Sequence, residues 1–170
     1  MANKKKDQPL NAFKDGEWQV SNLKFLADFF KKTGLSTENA AEKVGITRQA
    51  VYYWFATDDA KISTIMNFID KCGYTIDFSI VREDMLRGNA WVKIDVDPKE
   101  EQNIHEGRLA FLDRAMKQNG LSKKTLARKI GLGESAIFYW FTKDDCMISH
   151  VYRIAEAEGL QVKIHIQPKQ

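Results

Sequence analysis

Cysteine and histidine are both scarce in this chain of 170 residues. It has two cysteines, Cys72 and Cys146, and three histidines, which are scattered along the sequence. The paired cysteine and histidine spacings that hold a zinc ion are therefore missing. We expect no metal and no other cofactor. The low cysteine content also favours a reducing compartment, and we expect a cytoplasmic location.

Long apolar runs and catalytic signatures are missing as well. No run of about 18 apolar residues occurs, so we expect no transmembrane helix and no membrane partner. The basic start, MANKKKDQPLNAFKDG, lacks the apolar stretch of a signal peptide. The chain has no P-loop, no dinucleotide fingerprint and no nucleophile elbow. The two glycines of GLGES at 131–135 do not complete a phosphate loop. We therefore do not expect an enzyme.

The charge is not strongly one-sided. The net charge is +3, with 29% charged and 44% hydrophobic residues. This composition is ordinary for a folded domain, and the length fits one domain or two small ones. A mildly basic chain is compatible with a nucleic-acid partner but does not require one.

An internal repeat organises the sequence. WFATDD begins at Trp54 and WFTKDD begins at Trp140, 86 residues later. At this offset residues 23–80 align with 109–166 without a gap, and about a third of the positions are identical. We call these segments copy one and copy two. The predicted organisation is a tail (1–20), a first unit (21–81), a linker (82–106) and a second unit (107–167).

Each copy is predicted to contain four helices followed by a strand. In copy one, the first helix ends at Gly34, Ser36 or Thr37 caps a helix through Val44, and a third runs over 47–55. Asp58 or Asp59 is expected to cap a fourth helix. Alternating apolar residues then predict a strand over 74–81. Copy two repeats these signals at Gly120, Ser122, Gly131, Asp144, Asp145 and Gly159. The fold class is therefore mainly α with a small β component.

Further strands are predicted outside the two copies. Residues 90–96 alternate in the linker and are expected to form a hairpin with 74–81, with 160–167 as a third strand. EWQV at 17–20 is predicted as another short strand. A single small sheet of this kind would fix the orientation of the two copies.

A helix–turn–helix spacing lies inside each copy. In copy one it consists of Ala41, Gly45, Val51 and Trp54. The small residue lets two helices cross closely, the glycine takes the positive φ of the turn, and the branched residue fills the core between the helices. The same spacing recurs at Ala127, Gly131, Ile137 and Trp140.

With these motifs, residues 21–73 and 107–159 resemble the lambda-repressor-like, or Cro/repressor-type, helix–turn–helix family. The resemblance implies that the second motif helix enters the DNA major groove while the surrounding groups hold phosphates. Two features depart from the family. A strand replaces the usual fifth helix, and an Asp-Asp pair occupies a loop where many members have glycine and basic residues.

The resemblance implies a set of base-contacting residues in each copy. Arg48 suits guanine and Gln49 suits adenine, whereas Glu134 can only accept from cytosine and Phe138 can meet a thymine methyl. The implied set in copy one is Thr47, Arg48, Gln49, Tyr52 and Tyr53. The matching positions of copy two are Gly133, Glu134, Ser135, Phe138 and Tyr139, of which Ser135, Phe138 and Tyr139 are taken as DNA-binding.

The first motif helix of copy two is basic. KKTLARK carries Lys123, Lys124, Arg128 and Lys129, whereas the equivalent TENAAEK of copy one is nearly neutral. Copy one has seven basic and seven acidic residues, and copy two has nine and six. Copy two is expected to supply the phosphate contacts, although a solvated helix face is the plainer interpretation.

Plainer interpretations also exist for the aromatic and aspartate positions. Trp54, Phe55 and their equivalents Trp140 and Phe141 are expected in the core rather than stacked on single strands. Some rings among Tyr52, Tyr53, Phe138 and Tyr139 must be exposed, for groove contact or for an interface. The aspartate pairs are expected to cap helices rather than perform acid–base chemistry.

Two functions remain open from the sequence. The first is a transcriptional regulator that binds double-stranded DNA, with the two copies acting as an intrachain pseudo-dimer on an asymmetric site. The second is a protein-interaction module on the same fold, such as an antitoxin, an anti-repressor or a phage-type structural protein. The chain would act as a monomeric pseudo-dimer or pair again through a free sheet edge.

Overall fold

A computed structural model describes residues 21–82 and 104–170 of the chain. These residues form eight helices and two strands, which confirms the mainly α fold with a small β component. The tail, the strand at 17–20 and the linker strand at 90–96 lie outside the described residues. None of the helices in the described part is long and apolar enough to cross a membrane.

The same order of elements occurs twice, as the repeat predicted. Copy one contains α1 (Lys24–Thr33), α2 (Thr37–Val44), α3 (Arg48–Thr57), α4 (Ile62–Lys71) and β1 (Tyr74–Arg82). Copy two contains α5 (Ala110–Gln118), α6 (Lys123–Ile130), α7 (Glu134–Lys143), α8 (Ile148–Ala157) and β2 (Leu160–Pro168).

Serine hydroxyls begin the first motif helix of each copy. Ser36 Oγ accepts the backbone N–H of Asn39 at 3.1 Å, and Ser122 Oγ accepts that of Thr125 at 3.1 Å. Each bond satisfies one of the N–H groups that a helix start leaves without a partner. Of the two predicted caps in copy one, Ser36 is therefore the cap of α2.

The helices that follow the aspartate pairs do not have an aspartate as their N-cap residue, so that prediction was wrong. α4 and α8 begin after Lys61 and Met147, and neither residue makes a side-chain capping bond. Asp58 and Asp144 instead end α3 and α7 in the left-handed conformation, with φ of 51° and 52°. This backbone reversal points their carboxylates towards an earlier helix of the same copy.

Each of these two carboxylates caps the first helix of its own copy. Asp58 accepts the backbone N–H groups of Asn22 at 2.9 Å and Leu23 at 3.2 Å, just before α1. Asp144 accepts those of Arg108 at 2.8 Å and Leu109 at 2.9 Å, just before α5. Both aspartates therefore cap a helix, but the capped helix is the first helix of the same copy and not the helix that follows.

The described residues fall into two compact units that divide after Asp59. The first unit contains α1, α2 and α3. Its core includes Leu26 and Val51, which are fully buried, and the rings of Phe30 and Phe55, whose centroids lie 6.3 Å apart. The phenylalanine pair joins α1 to α3.

The second unit contains α4, β1 and copy two, and it has internal pseudo-symmetry. β1 and β2 pair antiparallel, with Phe78 opposite Ile164 at the centre of the ladder. An isolated antiparallel bridge joins Lys61 to Met147. In both pairs the partners are 86 residues apart, so they are equivalent positions of the repeat. A pseudo-two-fold axis therefore passes through both pairs.

The hydrogen bonds beside the bridge obey the same symmetry. The Ile62 N–H donates to the Cys146 carbonyl at 2.9 Å, and the Ile148 N–H donates to the Ala60 carbonyl at 2.9 Å. The predicted union of the two copies' strands in one sheet is thus confirmed. Within the described residues the sheet has two strands, β1 and β2, and these two strands pair directly with each other.

A helix cap joins the two copies across this axis. The Asp145 carboxylate accepts the backbone N–H of Ser63 at 2.9 Å and its hydroxyl at 2.5 Å. Ser63 is the second residue of α4, so a side chain of copy two caps a helix of copy one. The ring of Phe111 on α5 also stacks on Phe78 of β1 at 5.4 Å, which ties α5 to the sheet.

Candidate nucleic-acid interface

The two helices and the tight turn that the spacing predicted are present in copy one. Gly45 takes φ 79° after α2, and its N–H and that of Ile46 both donate to the Ala41 carbonyl, at 2.9 and 3.0 Å. These bonds close the helix end and turn the chain towards α3. Ala41 and Val51 are buried where the spacing placed them, between the two helices.

The unit of copy two is built in the same way. Gly131 takes φ 70° after α6, and the Leu132 N–H donates to the Ala127 carbonyl at 2.9 Å. Ala127 and Ile137 are buried like their equivalents. The two turns therefore present α3 and α7 through the same local geometry.

The indole and phenyl rings of the repeated hexapeptide lie in the core. Trp54, Phe55, Trp140 and Phe141 are all buried, which confirms that they are not stacking residues on the surface. The indole of Trp140 stacks on the His150 ring of α8 with centroids 4.6 Å apart. Burying these rings fixes which face of α3 and α7 points outward.

Polar predicted residues of copy one lie at the start of α3. Thr47 is its N-cap and its Oγ1 accepts the Ala50 N–H at 3.2 Å. The guanidinium of Arg48 forms an ion pair with the Glu38 carboxylate of α2. Gln49 is exposed. The hydroxyl of Thr47 still carries its proton, so it remains able to donate to an outside acceptor.

Aromatic residues follow on the next turns of both second motif helices. Tyr53 is 66% exposed and its equivalent Tyr139 is 60% exposed. Phe138 is 48% exposed, whereas its equivalent Tyr52 is half-buried. Exposed rings were predicted among these four positions, and three of them are large exposed hydrophobic side chains.

The start of α7 is less well anchored than that of α3. Gly133 occupies the position of Thr47 and has no side chain with which to cap the helix. Glu134 and Ser135 follow, and both are exposed. The second motif helix of copy two thus begins with a carboxylate where copy one has a guanidinium.

The predicted basic residues of α6 are divided by their contacts. Lys123 Nζ lies 4.8 Å from the Phe138 ring centroid and 4.6 Å from that of Phe141, a cation–π arrangement that joins α6 to α7. Lys124 and Arg128 are exposed. Lys129 forms an ion pair with Glu158 beyond α8 at 2.6 Å. Lys123 therefore lies against the aromatic rings of α7, whereas Lys129 is paired with Glu158.

Asp144 has a perturbed acidity at the end of α7. Partial burial acts to raise its pKa, but the N–H groups of Leu109 and Arg108, the ring of His105 and the Arg108 charge together lower the pKa below its ordinary value of 3.8. His105 Nε2 lies 2.9 Å from an Asp144 carboxylate oxygen. The carboxylate thus works as an ionised cap. Within residues 21–82 and 104–170, no three acidic, histidine or cysteine side chains are grouped to hold a metal ion.

Glu38 is a residue of the candidate site that the sequence did not predict. Its carboxylate forms an ion pair with the guanidinium of Arg48, the residue expected to contact guanine. The repeat contains a signal for this contact, because positions 38 and 48 are acidic and basic whereas their equivalents 124 and 134 are basic and acidic. Opposite charges that invert together indicate neighbouring positions.

No family model, curated protein or solved structure matches this chain. The two copies share their turns and the buried rings of the repeated hexapeptide. What differs between them is the set of side chains on the outer faces of the motif helices.

Proposed function

We propose that the chain is a DNA-binding protein, a transcriptional regulator whose two helix–turn–helix units act as an intrachain pseudo-dimer on duplex DNA. The observation that carries this proposal is the charge of the copy-two motif. Residues 123–143 contain five basic residues and one acidic residue, on and beside helices with exposed outer faces. Such a surface complements the phosphate backbone.

Copy two would supply the grip on the backbone. Lys124 and Arg128 are exposed on α6, the helix that contacts phosphates in a helix–turn–helix complex. Each phosphate neutralised by a basic side chain releases condensed counterions, so affinity falls as salt rises. These contacts position the protein without selecting a sequence.

Copy one would supply hydrogen bonds to bases. The guanidinium of Arg48 matches the two acceptors of guanine, and the amide of Gln49 matches adenine. Both residues lie in the first turn of α3, the part of a recognition helix that meets base edges. Arg48 must leave Glu38 to make this contact, and an exposed ion pair of this kind adds little stability.

The pseudo-dimer part of the proposal is supported by the symmetry of the second unit. The ladder centred on Phe78 and Ile164 and the bridge between Lys61 and Met147 relate equivalent positions of the two copies. In single-motif proteins of this type, a two-fold interface between subunits sets half-sites about 34 Å apart. Here an intrachain sheet would take the place of that interface.

A second function is favoured by the exposed rings. Tyr53, Phe138 and Tyr139 are large, exposed and apolar, and aromatic residues are enriched at protein interfaces. The Glu38 carboxylate beside Arg48 would also repel a phosphate. A protein-interaction module, such as an antitoxin, an anti-repressor or a phage-type structural protein, would use this surface instead of DNA.

Paired variants of the two copies test the DNA-binding proposal. Arg48→Ala with Gln49→Ala should reduce affinity for a duplex selected from a random pool by about tenfold or more, because hydrogen bonds to bases are removed. The matched control, Glu134→Ala with Ser135→Ala, should change total affinity less, because it also removes a repulsive carboxylate. If both variants bind the duplex as tightly as the wild type does, the second motif helices do not contact DNA.

A further inference from the structure

Two equivalent pairs of positions carry opposite charges in the two copies. Glu38 and Arg48 of copy one correspond, at the offset of 86, to Lys124 and Glu134 of copy two. At these two positions each copy thus has one acidic and one basic residue, one on each motif helix, but with inverted polarity. We call these four residues the inverted charge pairs.

In copy one the two positions are neighbours in space as well as in pattern. Glu38 lies in the first turn of α2, Arg48 is the first residue of α3, and the two side chains form an exposed ion pair. Lys124 lies in the first turn of α6 and Glu134 is the first residue of α7, and both are exposed. The two second motif helices therefore begin with groups that have opposite hydrogen-bonding capacity.

Those groups select different bases. A guanidinium only donates, and two of its N–H groups match O6 and N7 of guanine. An ionised carboxylate only accepts, so in the major groove it suits the amino group of cytosine. Adenine also offers an amino group there, but its N7 acceptor lies beside that group and would repel the carboxylate.

We propose that the inverted charge pairs make the two half-sites differ at one base pair, with guanine contacted by Arg48 in one and cytosine contacted by Glu134 at the equivalent place in the other. This inference rests on the proposed function, since it assumes that both second motif helices enter the groove. A symmetric dimer meets the same base in both half-sites and prefers a palindrome. This chain prefers a site that departs from a palindrome at that base pair.

Four duplexes test the preference. The full chain first selects a site from a random duplex pool, and N7-methylguanine interference locates the guanine that Arg48 contacts. The base pair at that position and its symmetric equivalent in the other half-site are then varied. The first base named is the one that faces Arg48 and the second is the one that faces Glu134, which gives guanine–cytosine, guanine–guanine, cytosine–cytosine and cytosine–guanine duplexes. The guanine–cytosine duplex should bind about tenfold more tightly than the palindromic guanine–guanine duplex.

The outcomes separate this inference from the proposed function. If the palindromic guanine–guanine duplex binds as tightly or more tightly, or if methylation interferes equally in both half-sites, the inference is overturned while DNA binding stands. If no duplex is selected from the pool, the proposed function itself fails.

Charge-swapped variants provide the independent check. Lys124→Glu with Glu134→Arg gives copy two the pair of copy one, and preference should move to the guanine–guanine palindrome. Glu38→Lys with Arg48→Glu makes the reciprocal change and should move preference to the cytosine–cytosine palindrome. Since these side chains lie on the surface, circular dichroism should stay unchanged. Folded variants that keep the wild-type order of the four duplexes would overturn the inference.

Discussion

Copy one and copy two bury the same residues of the repeated hexapeptide but carry different charges on their motif helices. Trp54 and Trp140 are both buried, and Asp58 and Asp144 both take the left-handed conformation and cap the first helix of their copy. On the outer faces, residues 37–57 contain two basic and two acidic residues, whereas residues 123–143 contain five and one. The repeat has therefore kept the buried residues that form the motif and changed the charge of the motif helices.

The largest expected effect lies in the shared interior. Trp54→Ala and Trp140→Ala should each lower the free energy of unfolding by about 3–5 kcal/mol, because each leaves a cavity in a buried cluster. Urea denaturation followed by circular dichroism measures both. A variant that unfolds at the same urea concentration as the wild type but loses partner binding would show that its tryptophan contributes to binding and not to the core.

The next effect concerns the basic face of copy two. Lys124→Glu with Arg128→Glu should weaken binding to all duplexes alike, by about tenfold or more. The slope of log affinity against log salt should also become shallower, by about 0.9 for each phosphate that is no longer neutralised. Titrations at several salt concentrations measure both quantities. Weakening confined to one base position would contradict a phosphate role.

Copy one offers the matched control. Glu42 of α2 is exposed and is the equivalent of Arg128. Glu42→Lys should strengthen binding at low salt, since it removes a repulsive charge and adds an attractive one. Weaker binding in this variant would show that α2 faces something other than phosphate.

The cap of α5 should make stability depend on acid. The pKa of Asp144 is lowered in the folded chain, so its contribution is complete above the ordinary value of 3.8 and is lost as pH falls through the lowered pKa. Asp144→Asn keeps a residue that tolerates the left-handed backbone but removes the charge. It should cost about 1 kcal/mol at neutral pH. Thermal melts should show that cost shrinking towards strong acid, and a cost independent of pH would contradict the ionised cap.

The smallest effect concerns the start of the second motif helices. Thr47→Ala should cost about 1 kcal/mol, because the Ala50 N–H loses its acceptor. Gly133 has φ −69° and ψ 145°, which serine also adopts, so Gly133→Ser should stabilise copy two by a few tenths of a kcal/mol. Chemical denaturation measures both, and a destabilising Gly133→Ser would show that the copies differ here in more than the hydroxyl.

The parts of the fold that depend on neighbouring residues were predictable from the sequence. Ser36, Gly45 and the alternation in β1 act within a few positions, and each element formed as expected. The Asp145 cap on α4 was not predictable, because it joins residues 82 apart through a pseudo-two-fold axis that only the folded chain reveals. In the candidate site, helical spacing required that some rings among Tyr52, Tyr53, Phe138 and Tyr139 be exposed, but it did not say which ones. The pairing of Arg48 with Glu38 was not predicted, because it depends on the angle between α2 and α3.

The most direct test of the account is fluorescence-anisotropy titration of the full chain against a random duplex DNA pool at two salt concentrations. The basic face of α6 predicts micromolar or tighter binding at low salt, with a steep fall in affinity at the higher concentration. Absence of binding at low salt would contradict a DNA-binding function and would direct attention to a protein partner for the exposed tyrosines and Phe138.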